Sequence, residues 1–168
     1  VTVEDLFFNV PARRKFLRTD LTERRHVSAW VTRCALAYPS MRLTLIDEGR
    51  ETFRSPGTGE LRDVLVTVHG PDVGGELLPV YPQAGQARPI EVTGFVSPPT
   101  IHRGSRQGIM LFVNGRWVND RQMTYAVIQA YHTFLPKGRY PVAVVKVGMP
   151  PQDVDVNVHP TKVEVRFR

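Results

Sequence analysis

The chain has 168 residues, enough for one ordinary domain or for one domain and part of another. With 42% hydrophobic, 23% charged and 9% aromatic residues it has a globular composition, which excludes a disordered or collagen-like chain. A single cysteine, Cys34, excludes a disulfide scaffold and a multi-cysteine zinc site and makes an intracellular home the default, while apolar runs such as Leu111–Val113 and Val142–Val145 are too short to cross a bilayer.

The formal net charge of +6 is unevenly spread: +3 over residues 1–54, −3 over 55–100 and +6 over 101–168. Only four of the 22 basic residues are lysine. The planar fork of arginine suits phosphate oxygens, so nucleic acid is a candidate partner; the competing explanation is a set of solvated charged faces.

In chain order, Val1-Thr2-Val3 alternates like the end of a strand, and the first residues read as neither a signal peptide nor an ordinary start, as expected of a piece of a longer protein. Pro11 suits a first helical position and opens a short basic helix that Thr19-Asp20 breaks. Asp20 with Glu23 reads as a capping box for a second helix running to Tyr38, with Val27, Trp30, Val31, Cys34 and Tyr38 as its core face. Met41–Asp47 and Glu51–Arg54 read as a hairpin turning at Glu48-Gly49-Arg50. Ser55–Gly59 is the candidate boundary. A helix carrying Leu61, Val64, Leu65 and Val68 then stops at Gly70.

Strands are expected at Glu76–Tyr81 and Ile90–Ser97, a polar loop at Pro98–Gly108, and a buried strand at Ile109–Val113 that turns at Asn114-Gly115. Asp120 is placed to cap a helix whose apolar face is Met123, Val127, Ala130, Tyr131 and Phe134. Val142–Val147 reads as a central strand, and Asp153–Arg168 as two alternating stretches around His159-Pro160-Thr161. The irregular order of strands and helices predicts an α+β fold, a mixed sheet covered by helices on one face.

Two constellations carry candidate chemistry. In the tail, Asp155, Asn157 and His159 share one side of a strand. Asp155 and His159 would stand about 13 Å apart, too far to share one metal ion, which favours a structural polar face. Lys162, just beyond Pro160, is placed to deliver one positive charge to a fixed point such as a terminal phosphate, or is a solvated loop lysine. The second constellation is Arg116 and Arg121, flanking a helix start that itself favours anions. With Arg103 and Arg106 they form a candidate basic groove in which Trp117 offers a stacking surface. The alternative buries Trp117 and pairs the arginines with Asp120 and solvent.

Phosphate-loop, dinucleotide and nucleophile-elbow motifs are absent from the sequence, so no catalytic residue and no metal ligand is assigned. Asp72–Gly75 reads as a turn, and Cys34 as a small core residue.

Three segments, in order, resemble the signatures of the MutL family of DNA mismatch-repair proteins: Leu6–Leu17 (LFFNVPARRKFL), Phe112–Arg116 (FVNGR) and Asp155–Phe167 (DVNVHPTKVEVRF). The resemblance implies the end of a Bergerat-type ATPase domain at residues 1–55. It implies a transducer domain, with a fold first seen in a small-subunit ribosomal protein, at residues 56–168. Family members bind ATP and Mg2+ mainly through the first half of the ATPase, dimerise on binding nucleotide, and form a basic groove for DNA. The resemblance makes Lys162 the lysine that reaches the γ-phosphate and Arg121 a DNA contact, with Arg116, Arg103 and Arg106 as an extension of that groove.

The family's magnesium-holding Asn, its general-base Glu and its glycine-rich ATP segments have no counterpart in this sequence, so the chain by itself is expected not to hydrolyse ATP. The implied partners are DNA, a second copy in the parent, the mismatch-recognition protein MutS and downstream repair proteins, in a bacterial cytoplasm. Two rival readings are a nucleic-acid or ribosome-associated module without an ATP link, and a small-molecule kinase, which the missing phosphate loop disfavours.

Overall fold

The computed structural model describes residues 2–82, 90–155 and 166–167. A single helical turn, α1 (Pro11–Arg14), precedes the long helix α2 (Asp20–Ala37) and the hairpin β1 (Thr44–Asp47) and β2 (Arg50–Arg54). Next come α3 (Leu61–His69), α4 (Pro71–Gly74), β3 (Leu78–Val80), β4 (Glu91–Val96), β5 (His102–Arg103), β6 (Ile109–Val113) and β7 (Arg116–Val118). The remaining elements are α5 (Arg121–Ala130), β8 (Tyr140–Pro141), β9 (Ala143–Gly148), β10 (Val154–Asp155) and β11 (Arg166–Phe167). The main sheet has five strands in the order β3-β4-β9-β6-β7. Its β6–β9 ladder is parallel and the other ladders are antiparallel, so the α+β expectation of a mixed sheet holds.

The continuous apolar run of β6 is explained by burial on both faces. Phe112, with Val142 and Val144, packs on Ala35 and Leu36 of α2 and on Val64 and Leu65 of α3. Leu111, Val113 and Val118 face the other way, onto Met123 and Val127 of α5. Helices therefore cover both faces, where the sequence pointed to one. The alternation of β6 and β9 sorts their residues to the two sides, and that sorting is invisible in a run that is apolar throughout.

Three further expectations need correction. The buried part of α2 is Ala35 and Leu36 near its C-terminus, whereas Trp30 is 65% exposed and Val27 and Tyr38 are each 50% exposed. The stripe built on Val27, Trp30, Val31, Cys34 and Tyr38 misses the neighbouring one that carries Ala35 and Leu36 to the core. Thr19, not Asp20, is its N-cap; Glu23 accepts from the Arg18 N–H at 2.8 Å, two residues before the Asp20 of the expected box. The segment expected as a polar loop before β6 includes β5, paired with β8, and a 3-10 turn at Arg106–Gly108, while Arg116–Val118 pairs with β6 as an additional edge strand.

Buried hydroxyls staple the connections. Ser55 Oγ donates to the Met41 carbonyl at 2.9 Å and accepts from the Leu43 N–H at 2.8 Å, so the start of the Ser55–Gly59 segment is fully buried. Ser97 Oγ likewise donates to Ile101 O at 2.7 Å and accepts from Val142 N, while Ser97 O accepts from the Tyr131 hydroxyl at 2.5 Å.

Two stability predictions arise here. Gly94 in β4 has φ +136°, and a Cβ there would collide with the Val144 carbonyl oxygen of the neighbouring strand. Gly94→Ala should lower unfolding stability by about 2–4 kcal/mol in urea titrations; a loss smaller than experimental error would remove this constraint. Burial, and secondarily the charge of Arg103, hold the His69 imidazole below its ordinary value of 6.5. A depressed folded-state value means stability is full above the unfolded value and falls as acid protonates the ring. Denaturant midpoints measured from pH 7 to pH 5 should therefore decline, and His69→Gln should flatten that decline.

Candidate nucleic-acid groove

Asp120 caps α5 as the sequence predicts, accepting from the Met123 N–H at 2.8 Å through Oδ1. That cap fixes where the helix begins and thereby aims Arg121 outward on its first turn. Arg121 and Arg106 line one groove of about 660 Å³, together with Asn119, Gln122 and Tyr125. Arg106, Ile109 and Asn119 also line a second groove of about 920 Å³, whose far wall is Arg25, Ser28, Thr32 and Arg33 of α2. The two grooves share these residues and so form one trough across the molecule. Four arginines line it, with no acidic side chain.

The expected basic residues are thus only partly brought together. Arg106 and Arg121 meet in the trough. Arg116, exposed on the edge strand β7, and Arg103, exposed on β5, line neither groove. None of the four takes part in an ion pair among the described residues. Asp120 is engaged by its own helix end, so the expected pairing of arginines with Asp120 does not form. Lys162, Asn157 and His159 lie outside the described residues, and of Asp155 only the backbone is described.

Trp117 resolves between its two readings. It packs against the core beside Phe112, and the Arg33 guanidinium lies over its ring, 3.6 Å from the centroid. Burial pushes the Arg33 pKa down, but arginine stays charged at any physiological pH. The stack is worth about 0.5–2 kcal/mol and joins α2 to the sheet edge. Trp117 therefore supports the trough floor with its ring face already occupied.

Arg25, Arg33, Asn119 and Tyr125 are groove residues that the sequence reading missed. A signal existed for the first two: Arg25, Ser28, Ala29, Thr32 and Arg33 recur at helical spacing, a small and polar stripe ending in arginine at both ends. Its residues are small or polar, so apolar periodicity does not mark it.

The second family signature has a structural explanation in Asn114. At the β6–β7 turn its Nδ2 donates to Met149 O and its Oδ1 accepts from Met149 N, both at 3.0 Å. The side chain imitates a strand partner and clamps the turn to the segment leading into β10. Among the described residues no group of His, Cys, Asp and Glu could hold a metal ion, and no helix is long and apolar enough to cross a membrane.

Residues 65–168 match the family described as DNA mismatch repair protein, C-terminal domain. The chain is 41% identical over 167 residues to the DNA mismatch repair protein MutL of Shouchella clausii, covering 99% of this chain and 25% of that protein. It is 45% identical over 168 residues to MutL of Symbiobacterium thermophilum, covering 100% of this chain and 26% of that one. Among solved structures, the Aquifex aeolicus MutL ATPase domain complexed with ADP matches with a TM-score of 0.66 at 28% identity, over 89% of this chain and 52% of that one. The chain thus spans about a quarter of the curated relatives' length, and about half of the solved domain. With the family match covering most of the chain and the fold agreeing, the chain belongs to the MutL family of DNA mismatch-repair proteins.

Proposed function

We propose that this chain is the coupling part of a mismatch-repair protein, joining nucleotide state in the parent to DNA binding. The observation that carries the DNA half is the acid-free trough holding Arg106 and Arg121, with Arg25 and Arg33 on its opposite wall. Arginines in a concave surface without acidic side chains concentrate positive potential where a phosphate backbone would lie. Arg121, on the first turn of a capped helix, adds its charge to the helix dipole. Arg116 and Arg103 stand outside the trough and serve as peripheral phosphate contacts at most.

In the domain reading, residues 1–55 are the end of an ATPase domain and residues 56–168 the transducer. Lys162 is the residue that meets the γ-phosphate of ATP in the parent. ATP and Mg2+ are held by the parent, and the chain alone does not turn over nucleotide. The parent acts in the bacterial cytoplasm as a homodimer with MutS, downstream repair proteins and DNA. What supports these assignments is the family membership and the position of each residue within the matching motifs.

Fluorescence anisotropy of the chain with a short DNA duplex and with RNA, at two salt concentrations, tests the groove. Arg121→Glu is expected to weaken DNA binding roughly tenfold and to reduce the salt slope by about one phosphate contact. Undiminished binding would remove Arg121 from the interface, and RNA binding as tight as DNA would favour the ribosome-associated reading. For the nucleotide half, Lys162→Ala in the full-length protein should slow ATP hydrolysis at least tenfold with the fold intact by circular dichroism. Unchanged turnover would overturn the lysine's role.

A further inference from the structure

The trough has an asymmetry that phosphate binding alone does not explain. Two aromatic rings border it, in different conditions. Trp117 is half-buried, packed on the core and covered by Arg33. Tyr125 lines the Arg121 end and is 62% exposed, and it belongs to neither hydrophobic cluster. Its hydroxyl takes part in no hydrogen bond among the described residues, in contrast with Tyr131 on the next turn and a half, whose hydroxyl is spent on Ser97. Tyr125 follows Arg121 by four residues in α5, so the two side chains are neighbours on one helix face. Ile128, three residues further, continues the same wall.

An exposed aromatic ring beside arginines, in a concave wall without carboxylates, has the chemistry of a platform for an unpaired base: the ring takes the base face, and the cations take the flanking phosphates. In a duplex the base faces are already stacked on one another and cannot reach such a ring. We propose that Tyr125 is a base-stacking residue, and that the Arg106–Arg121 end of the trough takes single-stranded DNA, with a base on Tyr125 and its phosphates on the two arginines. This deepens the DNA-binding reading above and rests on it.

The test compares a labelled oligothymidine with a duplex of equal length by anisotropy at two salt concentrations. Tyr125→Ala should weaken single-strand binding by roughly 5- to 100-fold, the loss expected for one base stack. Duplex affinity should change less than twofold. The salt slope should stay unchanged, because no charge is removed. Tyr125→Phe and Tyr125→Trp should restore single-strand affinity, and the fluorescence of the Trp variant should be quenched by oligothymidine more than by duplex. An exposed position makes all three variants tolerable to the fold, which circular dichroism checks. If Arg121→Glu weakens both ligands while Tyr125→Ala leaves both unchanged, the stacking role is overturned and the groove stands. If the unsubstituted chain binds neither ligand at low salt, the groove reading falls and the stacking proposal falls with it.

Discussion

Everything in this molecule is hung on the parallel pairing of β6 with β9. The register sets Ile109 opposite Ala143 and continues to Val113 opposite Val147, in the interior of the sheet. Neither strand has a free edge, and each has apolar side chains for both faces, so the pair supplies the floor of two separate cores. α2 and α3 close one core over Phe112 and Val144, and α5 closes the other over Leu111 and Val113. Parallel pairing needs a long crossover, and here the crossover is made of β7, α5 and β8. Helix α5, which brings Arg121 to the trough, is thus part of the same crossover that returns the chain to the sheet.

The docking of α2 is the second constraint. It depends on few contacts, several of them cationic. Lys146, in register with Phe112, donates from Nζ to the Ala37 carbonyl at 3.2 Å, and burial pushes its pKa down. A cation at the end of a helix meets the negative pole of its dipole, which offsets part of the cost of burying it. Arg33 over Trp117 holds the same helix one turn earlier. Near its start, by contrast, Arg24 is held by Asp47 and Glu48 through exposed ion pairs that contribute little. The far wall of the trough is therefore positioned from the C-terminal end of α2.

Arginine's abundance also divides once the fold is known. Arg62 is a structural residue: it donates to the Gly75 and Leu77 carbonyls at 2.7 and 3.0 Å and lies against Phe95. Arg54 is engaged by Glu51 of its own strand β2, and Arg24 by the hairpin turn. Charge counting treats all of these alike, while the arginines along the trough stand without carboxylates beside them, and the proposed DNA contact draws on those. In the same way the FVNGR signature mixes two roles, since Asn114 serves the backbone at Met149 and Arg116 faces solvent on the sheet edge.

Local physics was legible in the residues themselves. Asp120 capping α5, Gly70 ending α3, the hairpin turn at Glu48-Gly49 and the apolar run Ile109–Val113 each depend on chemistry contained within a few neighbouring positions. The motifs identified the family by the same token, because a motif is a local string. Which face of α2 is buried was decided elsewhere, by the fit of Ala35 and Leu36 against α3 and the sheet, and periodicity alone pointed to Trp30 instead. The union of Arg25 and Arg33 with Arg106 and Arg121 was also beyond local reading, since more than seventy residues of chain separate the two walls. Sequence determined the elements and the kinship of this protein through short-range backbone and capping energetics. Tertiary packing alone decided which side chains share a surface, because that depends on how two faces of one sheet divide their helices.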